Sequence, residues 1–144
     1  MDIFEEVSKL NFPLGSYVVV GSGHLIALGL KEGKDVDIVV TPELFSKCLH
    51  NQLWKQIPWT YPEKVGHIFL RRGVVELYLD VNCGSFNPST DELIQRAKII
   101  EGVAFASLED VLKLKIEYSK TKPKHLMDIK IIKEFLNTHP SLSY

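Results

Sequence analysis

The stretch VVVGSGHLIALGLKEGKDVDIVV, residues 18–40, limits the available folds more than any other part of the chain. Its two ends, Tyr17-Val-Val-Val20 and Ile38-Val39-Val40, are β-branched runs that pack well on a pleated surface and lose side-chain freedom in a helix. Between them Gly21-Ser22-Gly23 turns the chain, and Leu25, Ile26, Leu28 and Leu30 suggest a helix with Ser22 near its N-cap. Lys31-Glu32-Gly33-Lys34 then turns the chain again. The order is therefore strand, glycine turn, helix, strand. Asp35 and Asp37 occupy alternate positions of the second strand, so both project to one side of the sheet. Aspartate is disfavoured there, above all at Asp37 between Val36 and Ile38, which calls for a compensating role.

With 144 residues, 45% of them hydrophobic, the chain suits one globular domain over residues 1–144. Lys and Arg total 17 against 18 for Asp and Glu, which leaves no broad basic field for a long nucleic acid. The opening MDIFEEVSKL is acidic and amphipathic, and no apolar run reaches roughly 18 residues, so a cytoplasmic location is expected and a membrane role is not. Cys48 and Cys83 are far apart and lack clustered histidines, which excludes the common zinc spacings.

Elsewhere the pattern predicts a short helix over residues 2–10, stopped by Asn-Phe-Pro-Leu-Gly, and a helix from residue 42 to about 54 after the Thr41-Pro42-Glu43 start signal. Residues 57–62, with two prolines and two large aromatics, read as an irregular connection. His67 to Leu70, Arg71-Arg72-Gly73 and Val74 to Val81 predict a hairpin. Its second arm sets Val75, Leu77, Leu79 and Val81 against an acidic face of Glu76, Tyr78, Asp80 and Asn82. Ser89 starts a helix that includes Leu93, Ile94, Ala97 and Ile100, and residues 103–106 form a short strand. Ser107 starts a helix to about Tyr118, Thr121 to Lys124 interrupts it, and a final amphipathic helix carries Leu126, Ile129, Ile132 and Leu136, with a loose tail after Asn137.

Two carboxylates held this close repel unless a cation neutralises them, and hard oxygen ligands suit Mg2+ or Mn2+, which take their remaining ligands from water and phosphate. The Gly21-Ser22-Gly23 turn offers backbone N–H groups to a phosphate close in sequence to that pair.

"VVVGSG" followed by "DVDIVV" resembles the signature of the nucleotidyltransferase superfamily. "VVELYLDV" is similar to the later strand that supplies the family's third carboxylate. "FASLEDVLKLKIEYSKTKPKHLMDIKIIKEFL" resembles the C-terminal segment of small bacterial members, with Asp128 matching the acid of the last helix and His125 standing where an Asp is common. The resemblance covers roughly residues 16–136. It implies an α/β (α+β) fold, a mixed β-sheet flanked by helices with further helices at the C-terminus. It also implies Mg2+- or Mn2+-dependent attack of a hydroxyl acceptor on the α-phosphate of a nucleoside triphosphate. Asp35 and Asp37 would hold the metal, with Glu76 as the preferred third carboxylate and Asp80 as its competitor. Gly21, Ser22 and Gly23 would cradle the phosphates, and Lys115 or Lys124 would add positive charge.

Simpler readings compete at each position. Acids at strand ends often only decorate a wet face, and Arg71 and Arg72 suit a solvated turn. Lys113, Lys115, Lys120, Lys122 and Lys124 recur as a plain soluble face would. His24 suits packing or capping as well as nucleotide contact, and Trp54 and Trp59 suit the core as well as base stacking. At the level of the whole chain, the alternative to an enzyme is a nucleotide-binding regulatory or antitoxin-type module of the same fold, which would serve a partner protein.

Overall fold

The computed structural model describes residues 1–59 and 67–140. A seven-stranded mixed sheet runs in the order β3-β4-β5-β2-β1-β7-β6. Its strands are β1 (Tyr17–Val20), β2 (Val36–Val40), β3 (Lys55–Pro58), β4 (Ile68–Arg72), β5 (Val75–Tyr78), β6 (Lys98–Ile100) and β7 (Val103–Phe105). The helices are α1 (Ile3–Ser8), α2 (Gly23–Ala27), α3 (Pro42–Leu49), α4 (Thr90–Gln95), α5 (Leu108–Ser119) and α6 (Leu126–Thr138). One turn of 3-10 helix, Pro123–His125, joins the last two.

The centre of the sheet explains the valine runs. β1 pairs antiparallel with β2 and parallel with β7, and β2 pairs parallel with β5. Every residue of β1 is buried, because both faces are covered. Val19, Ile38 and Leu77 pack toward Ile3 and Val7 of α1 and Phe45 of α3. Val18, Val20 and Val39 pack on the other side with Leu25 of α2, Val111 and Leu114 of α5 and Ile132 of α6. Asp37, two positions before Val39, shares the face that α5 and α6 cover.

Several elements differ from the sequence expectations. α3 ends at Leu49, with His50 at its C-cap, and residues 55–58 form an edge strand against β4. In that edge position Pro58 is tolerated, since its missing N–H costs the sheet little. The rest of that connection, residues 60–66, lies outside the described residues, as do the last four residues of the tail. The hairpin turns at Gly73-Val74, placing Arg71 and Arg72 inside β4 and not in the turn. β5 stops at Tyr78, so the expected alternation fails beyond it: Leu79 is exposed and Val81 joins the α5–α6 side. α4 ends at Gln95, and Lys98–Ile100 is a strand, because the chain must turn back to pair with β7. The Ser89 capping box is complete, and Thr41 and Ser107 each cap a helix through their side chains. Among the described residues no helix is long and apolar enough to cross a membrane.

Candidate active site

Gly21 leaves β1 with φ +65°, a conformation that L side chains rarely adopt, and a Cβ built there would stand 3.0 Å from Asp37 Oδ2. The antiparallel register sets Val20 beside Asp37, so the glycine turn and the carboxylate are brought together by strand pairing. Gly23 answers a different demand: a Cβ there would collide with Val19, so its bareness serves packing of α2 on β1.

Glu76 stands beside Asp37 in the parallel register of β2 and β5. Burial, followed by the negative charges of Glu76 and Asp35, pushes the Asp37 carboxyl up to about 6, with Lys115 acting in the opposite sense. Asp35 itself precedes β2 and is exposed, so of the two aspartates Asp37 is the one set into the sheet. Glu76 Oε2 accepts hydrogen bonds from Tyr78 Oη at 3.2 Å and from Arg71 at 3.3 Å. The Tyr78 hydroxyl is held well above its usual range by burial and by the Asp37 and Glu76 charges. Asp80 lies past the end of β5, where its Oδ1 accepts from the Asn82 N–H.

A cleft of about 510 Å³ opens over Gly21 and Asp37, and Asp80 reaches it as well. Trp59 and Tyr78, in edge contact at 5.2 Å between ring centroids, form part of its wall. Tyr118, Lys122, Lys124 and His125 face them from the helical side. The cleft thus carries acids on its sheet side and cations on its helical side. Burial and nearby Lys115, Lys124 and Lys122 lower His125 to about 4, with Asp128 opposing. It is therefore a neutral imidazole at neutral pH.

The remaining expected residues sit behind the turn. Ser22 is at the N-cap of α2 but makes no side-chain cap bond; its hydroxyl donates to Asp128 Oδ2 at 3.3 Å. Lys115 is buried, contrary to the soluble-face reading, and pairs with Asp128 Oδ2 at 2.9 Å. Burial lowers Lys115, while Asp128 works to raise it. Burial also works to raise Asp128, but hydrogen bonds from Lys31 and Lys115 hold it below its usual range. Lys113 does form a surface pair with Glu109, and the exposed Lys120 pairs with the buried Glu117. His24 is fully buried, and its Nδ1 donates to the Ala106 carbonyl at 2.7 Å, which gives it a packing role. Trp54 is in the core, whereas Trp59 lines the cleft.

Sequence reading missed Lys31 altogether. A signal for the Lys115–Asp128 pair was available: Lys115 lies four residues after Val111 and Asp128 four before Ile132, so both charges fall on the buried stripes of their helices.

Among the described residues no three carboxylate, imidazole or thiol side chains stand close enough to enclose a metal ion. The donor set nevertheless fits a hard divalent cation. Asp37 and Glu76 repel each other in a partly desolvated place, and Mg2+ normally completes a small carboxylate set with water and phosphate oxygens.

No protein-family model and no curated protein matches the chain. The fold is similar to that in the crystal structure of ANT(2")-Ia in complex with adenylyl-2"-tobramycin, with TM-score 0.51 and 16% identity over 93% of this chain and 85% of that one. A mixed α+β architecture is thus shared with that structure across nearly the whole length.

Proposed function

We propose that the chain is a metal-dependent nucleotidyltransferase that moves a nucleoside monophosphate from a nucleoside triphosphate to a hydroxyl acceptor. The observation that carries this reading is the approach of the Gly21 backbone to Asp37, with Glu76 in register beside it. The turn would receive the phosphates through its amides and the Ser22 hydroxyl, with Lys115 and Lys124 adding positive charge. Asp37 and Glu76 would hold Mg2+ or Mn2+, and Asp35, exposed just before β2, would add its charge at the rim. Bound there, such an ion would supply the positive charge that lowers the pKa of an attacking hydroxyl and offsets charge on a leaving group.

The acceptor oxygen bonds to the α-phosphorus, the bond from that phosphorus to the bridging oxygen breaks, and pyrophosphate leaves. The hydroxyl proton passes to Glu76, or to Asp80 if that acid faces the acceptor. Trp59 and Tyr78 offer apolar ring surface in the same cleft, on which a base would stack. ANT(2")-Ia, whose fold is similar, was crystallised with an adenylylated aminoglycoside, which supports a hydroxyl-bearing acceptor as the reaction class. Small molecules, proteins and RNA ends all offer that group.

A second reading, a nucleotide-binding module that serves a partner without catalysis, draws on the internal engagement of Ser22, Lys115 and Glu76. Labelled nucleoside triphosphates, Mg2+ or Mn2+ and a pool of hydroxyl acceptors separate the two. Transfer that is lost in Asp37→Asn supports the enzyme. Binding without transfer supports the module, and binding and transfer both indifferent to Asp37 overturn the site.

A further inference from the structure

Behind the glycine turn, one carboxylate oxygen gathers three donors. Asp128 Oδ2 accepts from Lys31 Nζ at 2.8 Å, from Lys115 Nζ at 2.9 Å and from Ser22 Oγ at 3.3 Å. Each ammonium group is also 3.0 Å from Ser22 Oγ. The cluster joins the turn before α2, the α2–β2 connection, α5 and α6.

Resting on the reading of that turn as a phosphate seat, we propose that Asp128 is a positioning residue for the triphosphate, holding Lys31, Lys115 and the Ser22 hydroxyl together beside the turn. The opposite role is conceivable in principle: an internal anion that competes with phosphate for the same donors. Charge decides between them. Two ammonium groups against one carboxylate leave a positive surplus, so the cluster still attracts a polyanion with Asp128 in place. Asp128 also favours the charged form of Lys115. The Lys115 side chain is only 5% exposed, and burial favours its neutral form; the neighbouring Lys31 works the same way, whereas Asp128 and the more distant Asp37 oppose the loss of the proton. His125 Nδ1, 3.5 Å away and neutral, supplies no compensating charge. Removing Asp128 would therefore loosen the two ammonium groups beside the turn and shift Lys115 toward its neutral form. Lys31, 35% exposed, can turn its head outward, while Lys115 is fixed.

The test is calorimetric affinity for ATP with Mg2+, for the native chain, Asp128→Asn, Asp128→Glu, Lys31→Met and the Asp128→Asn/Lys31→Met pair, with folding checked by circular dichroism. Asp128→Asn should weaken ATP about tenfold or more, and Asp128→Glu should recover part of the loss. Loss of Lys31 should cost less in the Asp128→Asn background than in the native chain, a coupling that two independent structural defects do not produce. Unchanged or tighter ATP binding by Asp128→Asn, or strict additivity, overturns the proposal. Should Asp128→Asn not fold, Lys31→Met decides, with roughly fivefold weaker binding expected and unchanged binding overturning the proposal. A native chain that binds no ATP would instead remove the functional reading on which the proposal rests.

Discussion

Gly21 and Asp37 are so close that a side chain on the first would press on the carboxylate of the second: an added Cβ would stand 3.0 Å from Asp37 Oδ2. Gly102 has a similar positive φ, +78° against +65°, but open space around it. Both Gly→Ala variants should lose about 1–2 kcal/mol from the left-handed backbone alone. Gly21→Ala should lose more, because the carboxylate must also shift. Urea unfolding of the two variants measures the difference, and equal losses would show that the contact is relieved at no cost.

The raised Asp37 pKa predicts a pH dependence of stability. The folded state holds this proton up to about pH 6, whereas the unfolded chain releases it near 3.8. Folded protein therefore binds more protons across that window, and its stability falls as pH rises through it. Asp37→Asn removes the effect. In chelator-treated protein it should be more stable than the native chain above pH 6 by on the order of 3 kcal/mol, with the gap closing toward pH 4. Thermal melts across pH check this, and a constant offset at every pH would refute it.

His125 behaves in the opposite sense. Its imidazole titrates near 4 in the folded state against 6.5 unfolded, so the unfolded chain binds the extra proton and native stability falls as pH drops through that interval. An NMR titration of the His125 ring should find it neutral at pH 5.5. A midpoint near 6.5 would mean that neither burial nor the charges of Lys115 and Lys124 bear on it.

Arg96 grips Asp110 through Nε at 2.9 Å and a second nitrogen at 3.1 Å, and the Asp110 side chain is only 4% exposed. Arg96→Ala strands that buried carboxylate and should cost about 2 kcal/mol. Lys113→Ala, which breaks an exposed pair with Glu109, should cost about 0.5 kcal/mol or less. Chemical denaturation of both variants measures the ratio.

Local chemistry explains which parts of the fold could be read in advance. The valines of β1 and β2, the proline after Thr41 and the Ser89 and Ser107 caps act within a few residues, and each element they predict is present. β3 and β6 are edge strands whose sequences, Lys-Gln-Ile-Pro and Lys-Ile-Ile, say little alone; pairing with β4 and β7 defines them. At the site, the nearness of Asp37 to the Gly21 turn follows from a short antiparallel register and was legible. The pairing of Glu76 with Arg71 follows from the β4–β5 hairpin register, whereas the meeting of Lys31, Lys115 and Asp128 depends on how the helices dock, which the buried-stripe positions of Lys115 and Asp128 do not by themselves specify.

The parallel β2–β5 ladder also dictates the order in which the chain can become competent during synthesis. Asp37 emerges early, but its neighbour Glu76 arrives only after a second strand has been made, and the clasp at Asp128 waits for α6. A nascent chain cut short before α6 would therefore carry Lys31 and Lys115 behind the glycine turn with no carboxylate to hold them together.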